Sequence, residues 1–101
     1  MATSVDYMEF VAEQLRDFGS FRYRKMFGEY MVYLEEKTVF SVCDNTVFVK
    51  KLPQIAGLMQ KAECGFPYEG AKEHYILDIE DRTLLEQLIP LLQTTVVEKI
   101  R

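Results

Sequence analysis

The side chains that most often carry catalysis or bind metals are few in this sequence. His74 is the only histidine, and Cys43 and Cys64 are the only cysteines. A histidine-based metal cluster is therefore excluded, and a cysteine–histidine pair would require one thiol to approach His74 in the fold. Neither cysteine has CxxC or metal-ligand spacing, so we expect two reduced thiols of ordinary reactivity; a disulfide stays open but is not required.

Acidic residues and glycines point to no reaction either. The pairs Glu35-Glu36 and Glu80-Asp81 fall in a predicted turn and at a predicted helix start, where solvation and the helix dipole account for them. The glycines form neither a GxGxxG nor a GxxxxGK[ST] pattern, so no phosphate-binding loop is predicted. We expect a protein that is not an enzyme and that uses no metal or cofactor.

Positive charge is clustered in one stretch, where Arg22, Arg24 and Lys25 lie close together; Lys50 and Lys51 follow a later predicted strand. Basic residues on a strand often serve only to prevent sheets from aggregating edge to edge. The same cluster would also suit contact with a phosphate or with an acidic protein.

Two classes of partner are consistent with the basic cluster. Tyr23 and Tyr30 are interleaved with it and would suit stacking on single-stranded nucleic acid. However, the chain as a whole carries a net charge of -4, which argues against a broad footprint on phosphate. A protein partner is therefore favoured over nucleic acid.

The hydrophobic spacing predicts which elements position these residues. Apolar residues recur at helical spacing from Val5 to Phe18, behind the cap candidates Thr3 and Ser4, and predict a first helix that ends near Gly19. A period of two then predicts strands over 21–27, 30–34, 38–43 and 47–49.

Turn residues separate these strands. Glu35-Glu36-Lys37 predicts a polar turn, and Asp44-Asn45 predicts a tight hairpin because both residue types tolerate positive φ. We expect Gly28 to form a turn and Met26 and Phe27 to pack in the core.

The second half of the chain predicts two more helices and one more strand. A helix is expected to begin at Pro53 and end at Gly65, with a fifth strand over 75–79 and a last helix capped by Asp81. Pro90 predicts a kink or break near Ile89. The apolar stripes of these helices are Ile55, Leu58, Met59 and Ala62, and then Leu84, Leu85, Leu88, Leu91, Leu92 and Val96. One α+β domain over residues 1–101 is expected, with two layers in the order α-β(4)-α-β-α.

Strands two to four are apolar on both faces: Tyr30, Val32 and Leu34 alternate with Met31 and Tyr33. A sheet with one wet face should alternate more cleanly. Either helices cover both faces, or a second copy of the chain or another protein covers one of them.

Several runs of residues resemble the TfoX/Sxy N-terminal domain family. They are Arg24-Lys25-Met26-Phe27-Gly28-Glu29-Tyr30, Val42-Cys43-Asp44-Asn45, Phe48-Val49-Lys50 and Pro67-Tyr68-Glu69-Gly70-Ala71-Lys72. The resemblance implies a fold similar to secretion chaperones, no catalytic residues, and a role related to bacterial competence for DNA uptake. Because full-length competence regulators carry a second domain after this one, the chain is expected to be a stand-alone short form.

The expected function is that of a regulatory domain that binds a protein, with a transcription factor or a second copy of the chain as candidates. The predicted partner surface comprises Arg22, Tyr23, Arg24, Lys25, Tyr30, Lys50, Lys51 and Tyr68. No signal peptide or membrane span is apparent in the sequence, so we expect a cytoplasmic protein.

Overall fold

A computed structural model of the chain describes residues 2–93. Helix α1, Val5–Leu15, continues into a 3₁₀ turn, Arg16–Phe18. Ser4 is its N-cap, and the Ser4 hydroxyl accepts a hydrogen bond from the Tyr7 N–H at 3.0 Å. The predicted first helix and its cap are confirmed, although Val5 is exposed and does not contribute to the buried stripe.

The described residues next form an antiparallel sheet of six strands. The strands are β1 Phe21–Met26, β2 Glu29–Leu34, β3 Lys37–Cys43, β4 Thr46–Lys50, β5 Cys64–Gly65 and β6 His74–Leu77. Their spatial order is β1-β2-β3-β4-β6-β5, so β1 forms one edge and β5 the other. Helix α2, Arg82–Gln93, ends the described part of the chain. The predicted α+β class is confirmed, and the first four strands pair in chain order as an antiparallel meander.

The core lies between the two helices and one face of the sheet. In β2, Tyr30, Val32 and Leu34 are buried, whereas Met31 and Tyr33 between them are only half-buried. Both helices add to the same cluster. Their buried members are Met8, Val11, Leu15, Leu85, Leu88, Ile89 and Leu92.

The opposite face of the sheet is covered unevenly. Phe48 of β4 is buried within the chain, with its ring 6.4 Å from that of His74. Toward β1 the same face carries Met31 and Tyr33, which remain half-buried. Within residues 2–93, the two apolar faces inferred from sequence thus have different surroundings: helices cover one, whereas on the other Phe48 is buried and Met31 and Tyr33 are half-buried.

The helix expected from Pro53 to Gly65 is wrong: a 3₁₀ turn, Pro53–Ile55, is followed by further turns to residue 61. A short strand, Cys64–Gly65, lies where that helix was expected to end. Helix α2 continues through Pro90, so of the kink or break expected near Ile89 the break is not found. Val96, assigned to the last apolar stripe, lies outside the described residues.

Each of the first three hairpins turns through two residues with positive φ, as type I′ turns require. The φ angles are 53° and 82° at Phe27-Gly28, 53° and 77° at Glu35-Glu36, and 52° and 54° at Asp44-Asn45. The expected core packing of Met26 and Phe27 is wrong, because β1 ends at Met26 and Phe27 occupies the turn. Phe27 is fully exposed, and Met26 is 40% exposed.

Candidate protein-binding surface

The hairpin tip, defined as Met26, Phe27 and Gly28, presents an aromatic ring to solvent. Phe27 shows 101% relative exposure and adopts a φ of 53°. A bulky side chain is disfavoured at positive φ, and an exposed ring gains nothing from burial. Phe27 therefore has two unfavourable features, a positive φ and an exposed ring, and its ring adds nothing to the packing of the described residues.

A hydrogen-bonded cluster next to the hairpin tip holds the turn in place. We call it the N-terminal clasp, and it consists of Thr3, Glu29 and Asn45. Glu29 Oε1 lies 2.6 Å from the Thr3 hydroxyl and 3.2 Å from the Thr3 N–H. Thr3 is 5% exposed, and its N–H also approaches the Gly28 carbonyl at 3.2 Å. The segment that precedes α1 is thus fixed against the β1–β2 turn.

The clasp also reaches the β3–β4 turn. The Asn45 N–H donates to Thr3 Oγ1 at 3.2 Å, and the Ser4 N–H donates to Asn45 Oδ1 at 3.0 Å. The Asp44 N–H donates to Glu29 Oε1 at 3.1 Å. Thr3 has a single hydroxyl proton, and the distance of 2.6 Å directs it to Glu29 rather than to the Val42 carbonyl at 3.2 Å. Two hairpin turns and the helix cap are therefore held together.

The basic residues of β1 alternate between the two faces of the sheet. Arg22 and Arg24 point away from the core, whereas Tyr23 and Lys25 lie on the helix side. Arg22 stacks over the Tyr33 ring at 4.9 Å and lies 3.7 Å from Glu36. Within residues 2–93, Arg24 and Lys25 form no ion pair. Their charges are available to a partner.

Tyr30 is not available as a stacking platform. It is 5% exposed, belongs to the core, and contacts Tyr23 edge to face with 5.6 Å between ring centroids. Tyr23 is 42% exposed. The structure thus brings the two predicted tyrosines together but leaves only one of them accessible.

The remaining predicted residues lie elsewhere. Lys50 is on β4, three strands and so about 14 Å across the sheet from β1. Lys51 donates a hydrogen bond to Glu73 at 2.8 Å, which raises the pKa of this exposed ammonium, and it also lies over the Tyr75 ring. Tyr68 is 64% exposed in the loop between β5 and β6. The predicted surface is therefore not one continuous patch.

A groove of about 480 Å³ runs between α1 and β1. Its lining residues include one arginine from the 3₁₀ turn and one from β1, and comprise Met8, Ala12, Leu15, Arg16, Gly19, Ser20, Phe21, Arg22, Tyr23 and Val32. A second groove of about 500 Å³ lies near Ala62, Lys61 and Leu84.

In the described part of the chain, no hydrogen bond joins either thiol to His74. Burial, followed by the charges of Glu29 and Asp44, raises the pKa of the Cys43 thiol to about 11. Cys64 is exposed and pairs with Tyr75, one position beyond His74, so the two side chains project from opposite faces. In the described range 2–93, no cluster of three histidine, cysteine or acidic residues could hold a metal ion.

Sequence reasoning missed the exposure of Phe27, the clasp and the groove. The exposure of Phe27 had one signal in the sequence. A two-residue turn that ends before Glu29 contains Phe27 and Gly28, so Phe27 lies in the turn and not at the end of a strand. The clasp joins residues 26 positions apart, and the groove depends on how α1 lies along β1. No local sequence pattern encodes these two relationships.

Comparison with known proteins gives a family match and a relative. The family model described as the TfoX N-terminal domain matches residues 13–89. The chain is also 34% identical, over 91 residues, to an uncharacterized 12.7 kDa protein in the trpE 5′ region of Spirochaeta aurantia. That alignment covers 88% of this chain and 79% of the relative. None of the helices within residues 2–93 has the length and apolar character needed to cross a membrane.

Proposed function

This chain belongs to the TfoX N-terminal domain family, and we propose that it is a non-enzymatic cytoplasmic regulator that acts by binding another protein. Competence for DNA uptake is the process that the family suggests, and a transcription factor is the class of partner that such a role would require. A resemblance in fold to secretion chaperones is part of the same proposal. The binding surface is the hairpin tip together with Arg24 and Lys25.

The full exposure of Phe27 is the observation that carries this proposal. Burial of one phenylalanine side chain stabilises a complex by about 1.5–3 kcal/mol, and exposed aromatic residues are frequent energetic centres of interfaces. Two cations without ion pairs in the described chain, Arg24 and Lys25, lie beside it and would attract an acidic partner. The N-terminal clasp holds the turn in place, so little conformational entropy is lost on binding.

Capture of partners from native cytosol tests the proposal. The wild-type protein should retain a partner that is lost with Phe27→Ala and with the double substitution Arg24→Glu, Lys25→Glu. Lys61→Glu is the matched control, because Lys61 is exposed and forms no ion pair within the described residues. Identical partner lists for wild type and both variants would reject this surface.

Nucleic-acid binding through Arg22, Arg24, Lys25 and Lys50 is the less favoured function. The burial of Tyr30 removes one of the two stacking rings on which it depended, and Lys50 lies three strands away from the others. Titration with labelled single and double strands at several salt concentrations distinguishes the two functions. Tight binding that weakens steeply with salt would favour nucleic acid over a protein partner.

A further inference from the structure

Strand β1 forms an open edge of the sheet. It pairs with β2 on one side, and no described strand pairs with it on the other. Its six residues, Phe21–Met26, include three cations and no carboxylate. An edge of this kind offers backbone N–H and C=O groups to an added strand, and its charge selects which strand can be added.

The groove between α1 and β1 lies directly beside this edge. Its accessible apolar residues are Ala12, Phe21 and Tyr23, while Met8, Leu15 and Val32 form its buried floor. Arg16 of the 3₁₀ turn adds a cation. Its volume of about 480 Å³ is in the range of sites that accept organic ligands or several side chains. A strand added to β1 would therefore project every second side chain toward this groove.

We propose that the β1 edge and the α1–β1 groove together bind an extended segment of a partner protein in which apolar and acidic residues alternate. This inference rests on the proposed function and specifies the chemistry of the partner. Side chains on the helix side of the added strand would enter the groove beside Tyr23. Those on the other side would face Arg24, which forms no ion pair in the described residues, and Arg22, which lies 3.7 Å from Glu36. Successive side chains of a strand point to opposite faces. A partner strand would therefore place apolar residues toward the groove and acidic residues toward the arginines, so the two types would alternate along its sequence.

A second copy of this chain is a poor occupant of the same edge. Antiparallel pairing of two β1 strands would bring Arg22, Arg24 and Lys25 of one copy close to the same cations of the other. Like charges facing one another across strands are destabilising. The charge of the edge therefore favours an acidic segment over self-association.

The first experiment uses wild-type protein and an octapeptide of alternating valine and glutamate, with a peptide of the same composition in two blocks as control. Hydrogen exchange read by NMR reports on each backbone amide. The alternating peptide should slow amide exchange within residues 21–26 at least fivefold, and the block peptide should not. No slowing in β1 at saturating peptide would overturn the inference without recourse to any variant.

The second experiment separates the groove from the edge charge. Ala12→Phe should fill the α1–β1 groove and weaken peptide binding at least tenfold, while Ala62→Phe, the equivalent change in the second groove, should leave it unchanged. Arg24→Glu should weaken binding at least tenfold, and Lys61→Glu should not. Circular dichroism establishes that each variant is folded. Equal binding by the Ala12→Phe and Ala62→Phe proteins would overturn the inference.

Failure here can be distinguished from failure of the proposed function. If a cytosolic partner is lost with Arg24→Glu, Lys25→Glu but is retained in full by Ala12→Phe, the protein-binding function holds and strand addition beside the groove is overturned. If light scattering shows a dimer that Arg24→Glu alters, a second copy occupies the edge and the inference is likewise overturned.

Discussion

The hydroxyl of Thr3 lies 2.6 Å from Oε1 of Glu29, and this contact joins the residue before the α1 cap to the first residue of β2. Thr3 is buried, and the carboxylate also accepts hydrogen bonds from two backbone N–H groups. A hydrogen bond to a charged group contributes more to stability than one between neutral groups. The clasp therefore links the segment before α1 to β2 and holds the exposed hairpin tip in position.

Replacing Thr3 with valine should destabilise the fold by about 1–3 kcal/mol, because the substitution keeps the shape of the side chain but removes the hydroxyl that bonds to Glu29. Denaturant unfolding measures the change. Thr38→Val is the control, since Thr38 is exposed on β3 and should give a change of about 0.5 kcal/mol or less. Equal losses at the two positions would contradict the role assigned to the clasp.

Replacing Phe27 with asparagine should stabilise the protein by roughly 0.5–1 kcal/mol, because asparagine tolerates positive φ and Asn-Gly is a preferred type I′ sequence. The same change should abolish capture of the protein partner. Glu35→Asn is the matched control: Glu35 has the same φ of 53°, so it should gain similar stability and keep the partner. A loss of stability at Phe27 would contradict the prediction.

The Cys43 thiol should make stability depend on alkaline pH. Its pKa of about 11 in the fold lies above the ordinary value of 9.0, so the unfolded chain loses this proton first. The stabilisation that comes from the protonated Cys43 thiol is fully present below pH 9. Between pH 9 and about 11 the free energy of unfolding falls by about 1.4 kcal/mol for each pH unit.

Denaturant unfolding between pH 8 and 11 checks this dependence. Cys43→Ala should lower stability at pH 8 but flatten its decline at higher pH, whereas Thr38→Val, which removes no titratable group, should retain the wild-type slope. The pKa of the Tyr7 phenol is also raised, by burial and by Glu80 and Asp78, and that of Lys51 by its hydrogen bonds to Glu73 and Cys64, but both groups are present in all three proteins. Identical slopes for the two variants would refute the assignment to Cys43.

Replacing Pro90 with alanine should raise stability by about 1–3 kcal/mol. Proline inside a helix removes an N–H donor and crowds the preceding turn, and Pro90 is exposed within continuous helix α2. Thermal unfolding measures the gain, and Gln87→Ala on the same helix should change little. A lower unfolding temperature for Pro90→Ala than for wild type would show that the proline stabilises the protein at this position and would contradict the prediction.

Local patterns in the sequence predicted much of the fold. The Ser4 cap, the helical spacing behind it and the Asp44-Asn45 turn act within a few residues, so they could be inferred without the tertiary structure. The segment after Pro53 shows the limit of this reasoning. Ile55 and Met59 are buried as their spacing predicts, but successive turns place them there and no α-helix is needed. Gly57 disfavours an α-helix at this position.

The candidate site was less predictable, for a physical reason. Alternation along a strand identifies its two faces but not its neighbours, so the edge position of β1 and the separation of Lys50 from Arg24 depend on strand order. The burial of Tyr30 depends on helix packing above β2. The basic residues of β1 are exposed in the structure, and the partner surface built around them remains a prediction.

The strand order also has a consequence for the rate of folding. Of the five strand pairings within residues 2–93, four join strands that are consecutive along the chain, and only β4 with β6 skips one. That pairing brings Val49 to Tyr75 and must close the whole intervening segment before its contacts are gained. We expect glycine insertions in the loop at Gly70 to slow refolding in stopped-flow experiments more than equal insertions at Glu35-Glu36. If both insertions slow refolding equally, closure of the β4–β6 pairing does not limit the rate.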